Sequence, residues 1–286
     1  MDNILELRDV SFLYSKGTPF EKKALDGINL SFERGKITGL IGHTGSGKST
    51  LVSLLNGLVK PTSGFVYLDG ADIWEKPKEI ARVRFRVGVV MQYPEYQLFD
   101  ETVRRDIGFG PRNLGLSDEE IEIRVNEAAR FTGITEEMMD SSPFELSGGQ
   151  KRRVAIAGVI AMHPDVLVLD EPAAGLDPRG RREILTGLRR FAEEKGTTVI
   201  LVSHSMDDMA HYCDNVVVMY NGTVKSSGTV KEIFSKADEL TACGLDVPEA
   251  AKIAARLISA GIRLEGEIYT VEGLNAAILR YVGGAK

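Results

Sequence analysis

Polar and apolar positions alternate with period two in "LELRDV" and again in "INLSF", where Ile28, Leu30 and Phe32 share a face and Gly27 and Gly35 punctuate the run. That rhythm predicts half-buried strands. "KITGLIG" is a short continuous apolar strand that runs straight into a glycine-rich loop, and "STLVSLLNGL" behind it has helical spacing. "GFVYLDG" and "VGVVMQ" read as further strands. From about residue 93 to 155 the pattern turns helical and polar. Its clearest helix is "SDEEIEIRVNEAARFTG", with Ser117 as N-cap and acids in the first turn. The runs "DVLVLD" and "TTVILVS" have the two-sided hydrophobicity of parallel strands and flank the helix "GRREILTGLRRFAEE". "NVVVMYNGTVKSSG" is a hairpin that turns at Asn221-Gly222.

Past about residue 235 the texture changes. "DVPEAAKIAARLISAG" predicts a helix over 248–260, with Asp246 as N-cap and Ala250, Ile253, Ala254 and Leu257 on one face. "TVEGLNAAILRYV" repeats the pattern over 271–282 through Leu274, Ala277, Ile278 and Tyr281. Short one-sided helices need a surface to cover, so this pair is expected on the main domain or on a partner.

Composition narrows the class. A chain of 286 residues with 43% hydrophobic positions can bury one large domain and carry an appendage. A net charge of −6 supplies no global basic field for nucleic acid. No apolar run approaches the roughly 18 residues of a membrane span, and "MDNILELRDV" does not read as a signal peptide. Cys213 and Cys243 lack CxxC spacing, which suits buried thiols in a reducing compartment. A cytoplasmic chain is expected, free to dock on a membrane protein.

Gly42, His43, Thr44, Gly45, Ser46, Gly47, Lys48, Ser49 and Thr50 follow the strand "KITGLIG" and open a helix, fitting G-x-x-x-x-G-K-[ST]. The glycines let the backbone curl so that successive N–H groups point at phosphate oxygens. Lys48 is a point charge for the β and γ oxygens, and the Ser49 hydroxyl is a Mg²⁺ ligand. A plain glycine-rich turn with a surface lysine would not need the flanking strand and helix. Asp170 and Glu171 follow "VLVL" at the C-terminal sheet edge, where open α/β sheets bind ligands. Asp170 suits Mg²⁺ through water, and Glu171 suits the general base for an attacking water. Alone, the pair would be a charged strand end. His204 ends "VILVSH" at that edge, placed to touch a terminal phosphate, and Gln92 ends "VGVVMQ", placed to orient water or ligate Mg²⁺. A second anion-binding pattern, Ser147, Gly148, Gly149 and Gln150, opens the basic helix of "FELSGGQKRRVAIAG".

P-loop, strand-end Gln92, LSGGQ, Asp-Glu and strand-end His204, in this order, resemble the nucleotide-binding subunit of an ABC transporter over about residues 4–235. The resemblance implies an α/β P-loop NTPase core, RecA-like and of the ABC ATPase type, with an antiparallel β subdomain. It also implies an inserted helical subdomain at about 93–157 inside a domain of 1–235; beyond it, the one-sided helices make 236–286 a helical C-terminal extension expected to serve dimerisation. The implied substrate is ATP with Mg²⁺ held by Ser49, Gln92 and Asp170. Glu171 becomes the catalytic glutamate, His204 the switch histidine, Gln92 the Q-loop glutamine and Asp177 in "AAGLDP" the D-loop aspartate. Tyr14 falls where an aromatic stacks on adenine, with Phe12 as second choice. In that family two subunits dimerise head to tail, so that Ser147, Gly148, Gly149 and Gln150 serve the ATP of the other subunit.

"GTPFEKKAL", "GHTGSGKST", "QYPEYQLFDETVRRDIGFGPRN" and "PFELSGGQKRRVAIAG" narrow the resemblance to the energy-coupling factor (ECF) ATPases, the second of the two unlike types. Implied partners are an unlike second ATPase, a transmembrane coupling subunit and a substrate-capture membrane subunit for a vitamin or metal ion. The implied location is peripheral, on the cytoplasmic face of the cell membrane, with no nucleic acid partner. Ala173-Ala174 depart from the more usual Thr-Ala or Thr-Ser. The aromatics Tyr93, Tyr96 and Phe99 among Glu95, Asp100 and Glu101 are expected to form a groove for the coupling subunit, with Glu95 pairing an arginine of that subunit. The competing readings are the ATPase of an ordinary ABC importer or exporter, and a non-transport ABC ATPase. The repair type of the latter inserts long coiled coils between P-loop and LSGGQ, where only about a hundred residues stand here.

Overall fold

The computed structural model describes residues 2–284. The alternating N-terminal runs form β1 (Asn3–Tyr14) and β2 (Lys22–Glu33), an antiparallel pair. β3 (Ile37–Gly42) leaves them for a second sheet, while β4 (Ser63–Leu68) and the two-residue β5 (Ala71–Asp72) complete the first in the order β2-β1-β4-β5. The second sheet adds β6 (Val87–Val90), β7 (Val166–Asp170), β8 (Thr198–Val202), β9 (Asn215–Tyr220) and β10 (Thr223–Thr229). Its order is β10-β9-β3-β8-β7-β6, parallel except for β10, which returns antiparallel on β9 through Asn221-Gly222. Both turn residues have positive φ, as a tight two-residue hairpin requires.

The apolar runs of the second sheet are explained by its two covered faces. Leu167, Leu169, Val199 and Leu201 join the larger core with the helices, whereas Val166, Val168, Ile200 and Val202 join a core shared with β1, β2 and β4. A strand buried on both sides has no polar face to show.

α1 (Lys48–Leu55) follows β3, and α2 (Ile80–Arg86) precedes β6. Between β6 and β7 lie α3 (Val103–Ile107), α4 (Phe109–Asn113), α5 (Asp118–Thr132), α6 (Glu136–Met139) and α7 (Gly148–Ile160). α5 starts as its sequence predicts: the Ser117 hydroxyl accepts from Glu120 N, and the Glu120 carboxylate accepts from Ser117 N. α8 (Pro178–Lys195) joins β7 to β8, and α9 (Met206–Tyr212) joins β8 to β9. α10 (Val230–Phe234), α11 (Ala237–Ala242), α12 (Glu249–Ser259) and α13 (Val271–Gly284) end the chain.

Beyond residue 235, Leu240, Cys243 and Leu245 still belong to the larger core. Only past them does a separate small cluster form, from Ala250, Ala254 and Leu274, with Leu257 and Ile278 at its edge. α12 and α13 thus meet each other, and Ile253 and Tyr281, expected on the buried faces, are 45% and 42% exposed. The expected N-cap of α12 also differs. Asp246 accepts from Val247 N and Lys252 Nζ, and the helix opens at Glu249, whose N–H donates to Asp207 Oδ1 of α9 at 3.0 Å. Pro248, in extended conformation, sets the helix start and leaves Asp246 outside it. Cys213 and Cys243 are free and buried, and burial raises the Cys213 thiol far above its ordinary value. Among the described residues no helix is long and apolar enough to cross a membrane.

Candidate functional site

β3, β8, β7 and β6 lie side by side, so whatever stands at their C-terminal ends converges. Lys48 and Ser49 follow the loop after β3, His204 stands just past β8, Asp170 closes β7 with Glu171 next, and Gln92 lies just past β6. All six line one cavity of about 550 Å³, together with Tyr14, Thr44, Gly45, Gly47 and Thr50.

The glycines of the loop act in two ways. Gly45 and Gly47 have φ of 83° and 105°, which an L side chain rarely adopts. Gly42 has ordinary backbone; its constraint is space, since a Cβ there would stand 2.5 Å from the Met219 carbonyl oxygen. Gly42, His43 and Ser46 do not line the cavity but support it. Lys48 Nζ donates to the carbonyls of Gly42 (2.6 Å) and His43 (3.1 Å), and the His43 ring packs edge-on to Tyr220 at 5.3 Å. Ser46 is fully buried, and its carbonyl accepts from Gly222 N at 2.9 Å.

Burial dominates the electrostatics. It lowers the pKa of Lys48, opposed by the charges of Asp170 and Glu171, and raises those of Asp170 and Glu171, opposed by Lys48 and His204. Glu171 also adopts φ 54°, a strained conformation for a residue with a Cβ. Its Oε1 is buried without a hydrogen-bond partner, and His204 Nε2 stands 3.7 Å away. An acceptor this confined, beside a cationic loop, is ready for a donor that arrives with a ligand.

Tyr14 is 46% exposed and its hydroxyl pairs with Thr50 Oγ1 at 3.0 Å; Phe12 packs into the smaller core and meets Tyr14 edge-on at 4.9 Å. Sequence reasoning missed Lys22, Lys23, Ala24, Asn221 and Gly222, which also line the cavity. The Asn221-Gly222 turn was legible as a turn, but its approach to β2, through Asp26 N donating to Gly222 O, is tertiary and leaves no local signal.

Ser147, Gly148, Gly149 and Gln150 do not line this cavity. Ser147 and Gln150 form a capping box at the start of α7, and Ser147 and Gly148 are exposed. Asp177 N-caps α8, accepting from Gly180 N at 2.7 Å. Glu95 departs from expectation. Its carboxylate is not free to receive another subunit's arginine, because Arg152 of α7 holds both oxygens at 2.8 and 3.1 Å inside the chain. Tyr96 and Phe99 of the expected groove are exposed.

A family model described as "ABC transporter" matches residues 25–174. The chain is 49% identical over 282 residues, 99% of each chain, to a protein of Caldanaerobacter subterraneus subsp. tengcongensis named "Energy-coupling factor transporter ATP-binding protein EcfA2". A protein of the same name from Symbiobacterium thermophilum is 51% identical, covering 97% of this chain and 96% of the relative. Among solved structures, cbiO1 of Clostridium perfringens, described as part of the ABC transporter complex cbiONQ, superposes with a TM-score of 0.76 at 41% identity over 91% of this chain and 98% of that one. The dimeric ATP-binding cassette MJ0796, in a post-hydrolysis state with ADP and Pi, superposes with a TM-score of 0.71 at 28% identity over 79% of this chain and 98% of that one.

Proposed function

Because the chain belongs to the ABC transporter family, among the ATP-binding subunits of ECF transporters, we propose that its cavity is the ATP site and that turnover there drives import of a vitamin or transition-metal ion. The chain is an ATP-hydrolysing ABC ATPase. The full-length likeness to ECF proteins favours that branch over an ordinary importer or exporter and over a non-transport ABC ATPase. One observation carries the site assignment: Lys48, Ser49, Gln92, Asp170, Glu171 and His204 converge on one cavity from neighbouring strand ends.

The donors fit a Mg²⁺ ion. Ser49 hydroxyl, Gln92 amide oxygen and Asp170 carboxylate are hard oxygens on the same cavity. Among the described residues no group of three or more His, Cys, Asp or Glu side chains could hold a metal alone, so the ion would share its shell with phosphate oxygens of the substrate. Bound there, it neutralises charge on the phosphoryl group being transferred.

The protein's own groups do the rest. Backbone N–H groups of the loop from Gly42 to Thr50 cradle the phosphates, with His43, Thr44, Gly45, Ser46 and Gly47 fixing its curl. Lys48 Nζ exchanges its loop carbonyls for β- and γ-phosphate oxygens. The Glu171 carboxylate accepts the proton of the water that attacks the γ-phosphorus, and its raised pKa makes it a stronger base. Gln92 orients that water, His204 contacts the γ-phosphate, and Tyr14 stacks on adenine.

The signature stretch turned away from its own cavity supports a head-to-tail pair, in which Ser147, Gly148, Gly149 and Gln150 close over the ATP of a second, unlike ATPase. In this reading the pair sits on the cytoplasmic face of the membrane, beneath a transmembrane coupling subunit and a substrate-capture subunit. The test is Lys48→Ala, with ATP affinity measured on the purified chain and turnover on the complex with its partners. Both should be lost; a variant that binds and hydrolyses ATP like the wild type places the site elsewhere.

A further inference from the structure

Arg152 lies in the second turn of α7, in a stretch whose sequence reads as a basic helix, yet it is only 5% exposed. Its guanidinium ties its own helix to two other segments. Nε and Nη2 donate to the two Glu95 oxygens at 3.1 and 2.8 Å, and Nη1 donates to the Ala174 carbonyl. Glu95 belongs to the short turn Pro94–Gln97 that follows Gln92, and Tyr93 at φ 58° swings this turn off the sheet edge. Ala174 lies midway between Glu171 and Asp177, with its N–H donating to the Glu171 carbonyl at 3.2 Å. The signature stretch precedes Arg152 on the same helix, and a Cβ on Gly149 would stand 3.0 Å from Leu176. Burial pushes the Glu95 carboxyl up, but the Arg152 hydrogen bonds, its own backbone N–H and the Arg152 charge pull it below the ordinary value, so the pair is ionic.

The neighbouring Arg153 supplies a contrast. It donates to the Thr132 carbonyl at 3.0 Å and to Glu183 at 2.7 Å, fastening α7 to α5 and α8. Arg153 joins helix to helix, whereas Arg152 joins the helix to the two loops that border the cavity.

We propose that Arg152 is a positioning residue for ATP hydrolysis. Its planar fork makes the turn after Gln92, the signature helix and the loop from Glu171 to Asp177 move as one body when the signature stretch meets the other subunit's nucleotide. The inference rests on the ATPase reading and adds to it a single residue that links three moving parts. A fork can hold a carboxylate and a carbonyl at fixed angles together, which a lysine ammonium cannot. Displacement of reacting groups by about 1 Å is enough to lower turnover by about 10²-fold.

The experiment uses the complex purified with its membrane subunits, as wild type, Arg152→Lys, Arg152→Met and Glu95→Gln. Three quantities are read: kcat for ATP, KM for ATP, and the melting temperature. Both Arg152 variants should lose at least about 10-fold in kcat with KM within about 2-fold of wild type, because the P-loop half of the site is untouched. Glu95→Gln, which keeps an acceptor for the fork, should lose less. If Arg152→Met fails to fold, Arg152→Lys and Glu95→Gln carry the test. Wild-type kcat in those two variants overturns the proposal, and so does a kcat loss matched by equal losses of ATP affinity and melting temperature, which marks a fastening of the fold alone. An inactive wild type would count against the ATPase reading instead.

Discussion

Glu171 is the first residue after β7, in a left-handed conformation and with one carboxylate oxygen buried and unpaired. Both features cost stability, the backbone by about 1–3 kcal/mol, and both are retained where chemistry is expected. Glu171→Gln keeps the shape and removes the base. Hydrolysis should fall by ~10²-fold or more while ATP still binds, and pairs closed on ATP should accumulate on gel filtration. The same variant makes a prediction about pH. Burial raises the folded carboxyl's pKa, so the fold disfavours the charged form and stability declines as pH rises from the ordinary glutamate value through the raised one. The neutral amide escapes this decline. The variant should therefore melt above the wild type at pH 7, and the advantage should vanish in acid below the ordinary carboxylate range. An unchanged difference at both pH values would assign the effect to something other than this ionisation.

At the scale of elements, α8 carries a glycine in its interior that helix propensity cannot explain. A Cβ on Gly187 would stand 1.9 Å from the Phe131 carbonyl at the end of α5, where Phe131 and Phe191 also meet edge-to-face. In an exposed helix Gly→Ala stabilises by about 1 kcal/mol. Here Gly187→Ala should destabilise by about 1–3 kcal/mol through overpacking, measurable by urea titration. No local pattern announces this crossing, which illustrates what the sequence withheld. The central strands were legible because burial on both faces leaves continuous apolar runs, and so were the Ser117 cap and the Asn221-Gly222 turn, because their chemistry is local. Gln92, Asp170, Glu171 and His204 were legible as a set because each ends an apolar strand. Lys22, Lys23, Ala24 and the internal hold of Arg152 on Glu95 were not, since each depends on a partner far away in the chain. Asp246 misled because it resembled a cap while Asp207, from α9, took that place.

For the whole molecule, the exposed start of α7 lies apart from the cavity, and in the proposed head-to-tail pair each is one half of a composite site. Ser147→Arg should spare ATP binding, and Lys48→Ala should abolish it, each inactivating a pair made of that variant alone. Mixed together in a single-type assembly they should recover turnover, because one of the two composite sites then has both halves intact. A mixture no more active than either parent would mean that two copies of this chain do not form a composite site with each other. The C-terminal pair α12 and α13 leaves Ile253, Ile258, Leu279 and Val282 exposed, which fits a surface for the second ATPase. Because Leu240, Cys243 and Leu245 pack in the larger core, the informative truncation is after Val247. It should weaken association, seen by sedimentation, and leave ATP binding intact; equal association would place the contact elsewhere.

The strand that feeds the P-loop lies between β8 and β9, and Ile37 N donates to Asp214 across 177 residues of chain. During synthesis the P-loop therefore leaves the ribosome long before the strands that flank it, with its apolar edges uncovered. Contacts this distant form slowly, because the loop they close must first be ordered. The nascent chain thus passes through an extended interval of exposed hydrophobic surface, in which chaperones and proteases compete for it. The arrangement that brings the site's residues together also makes ATP binding one of the last properties the chain acquires.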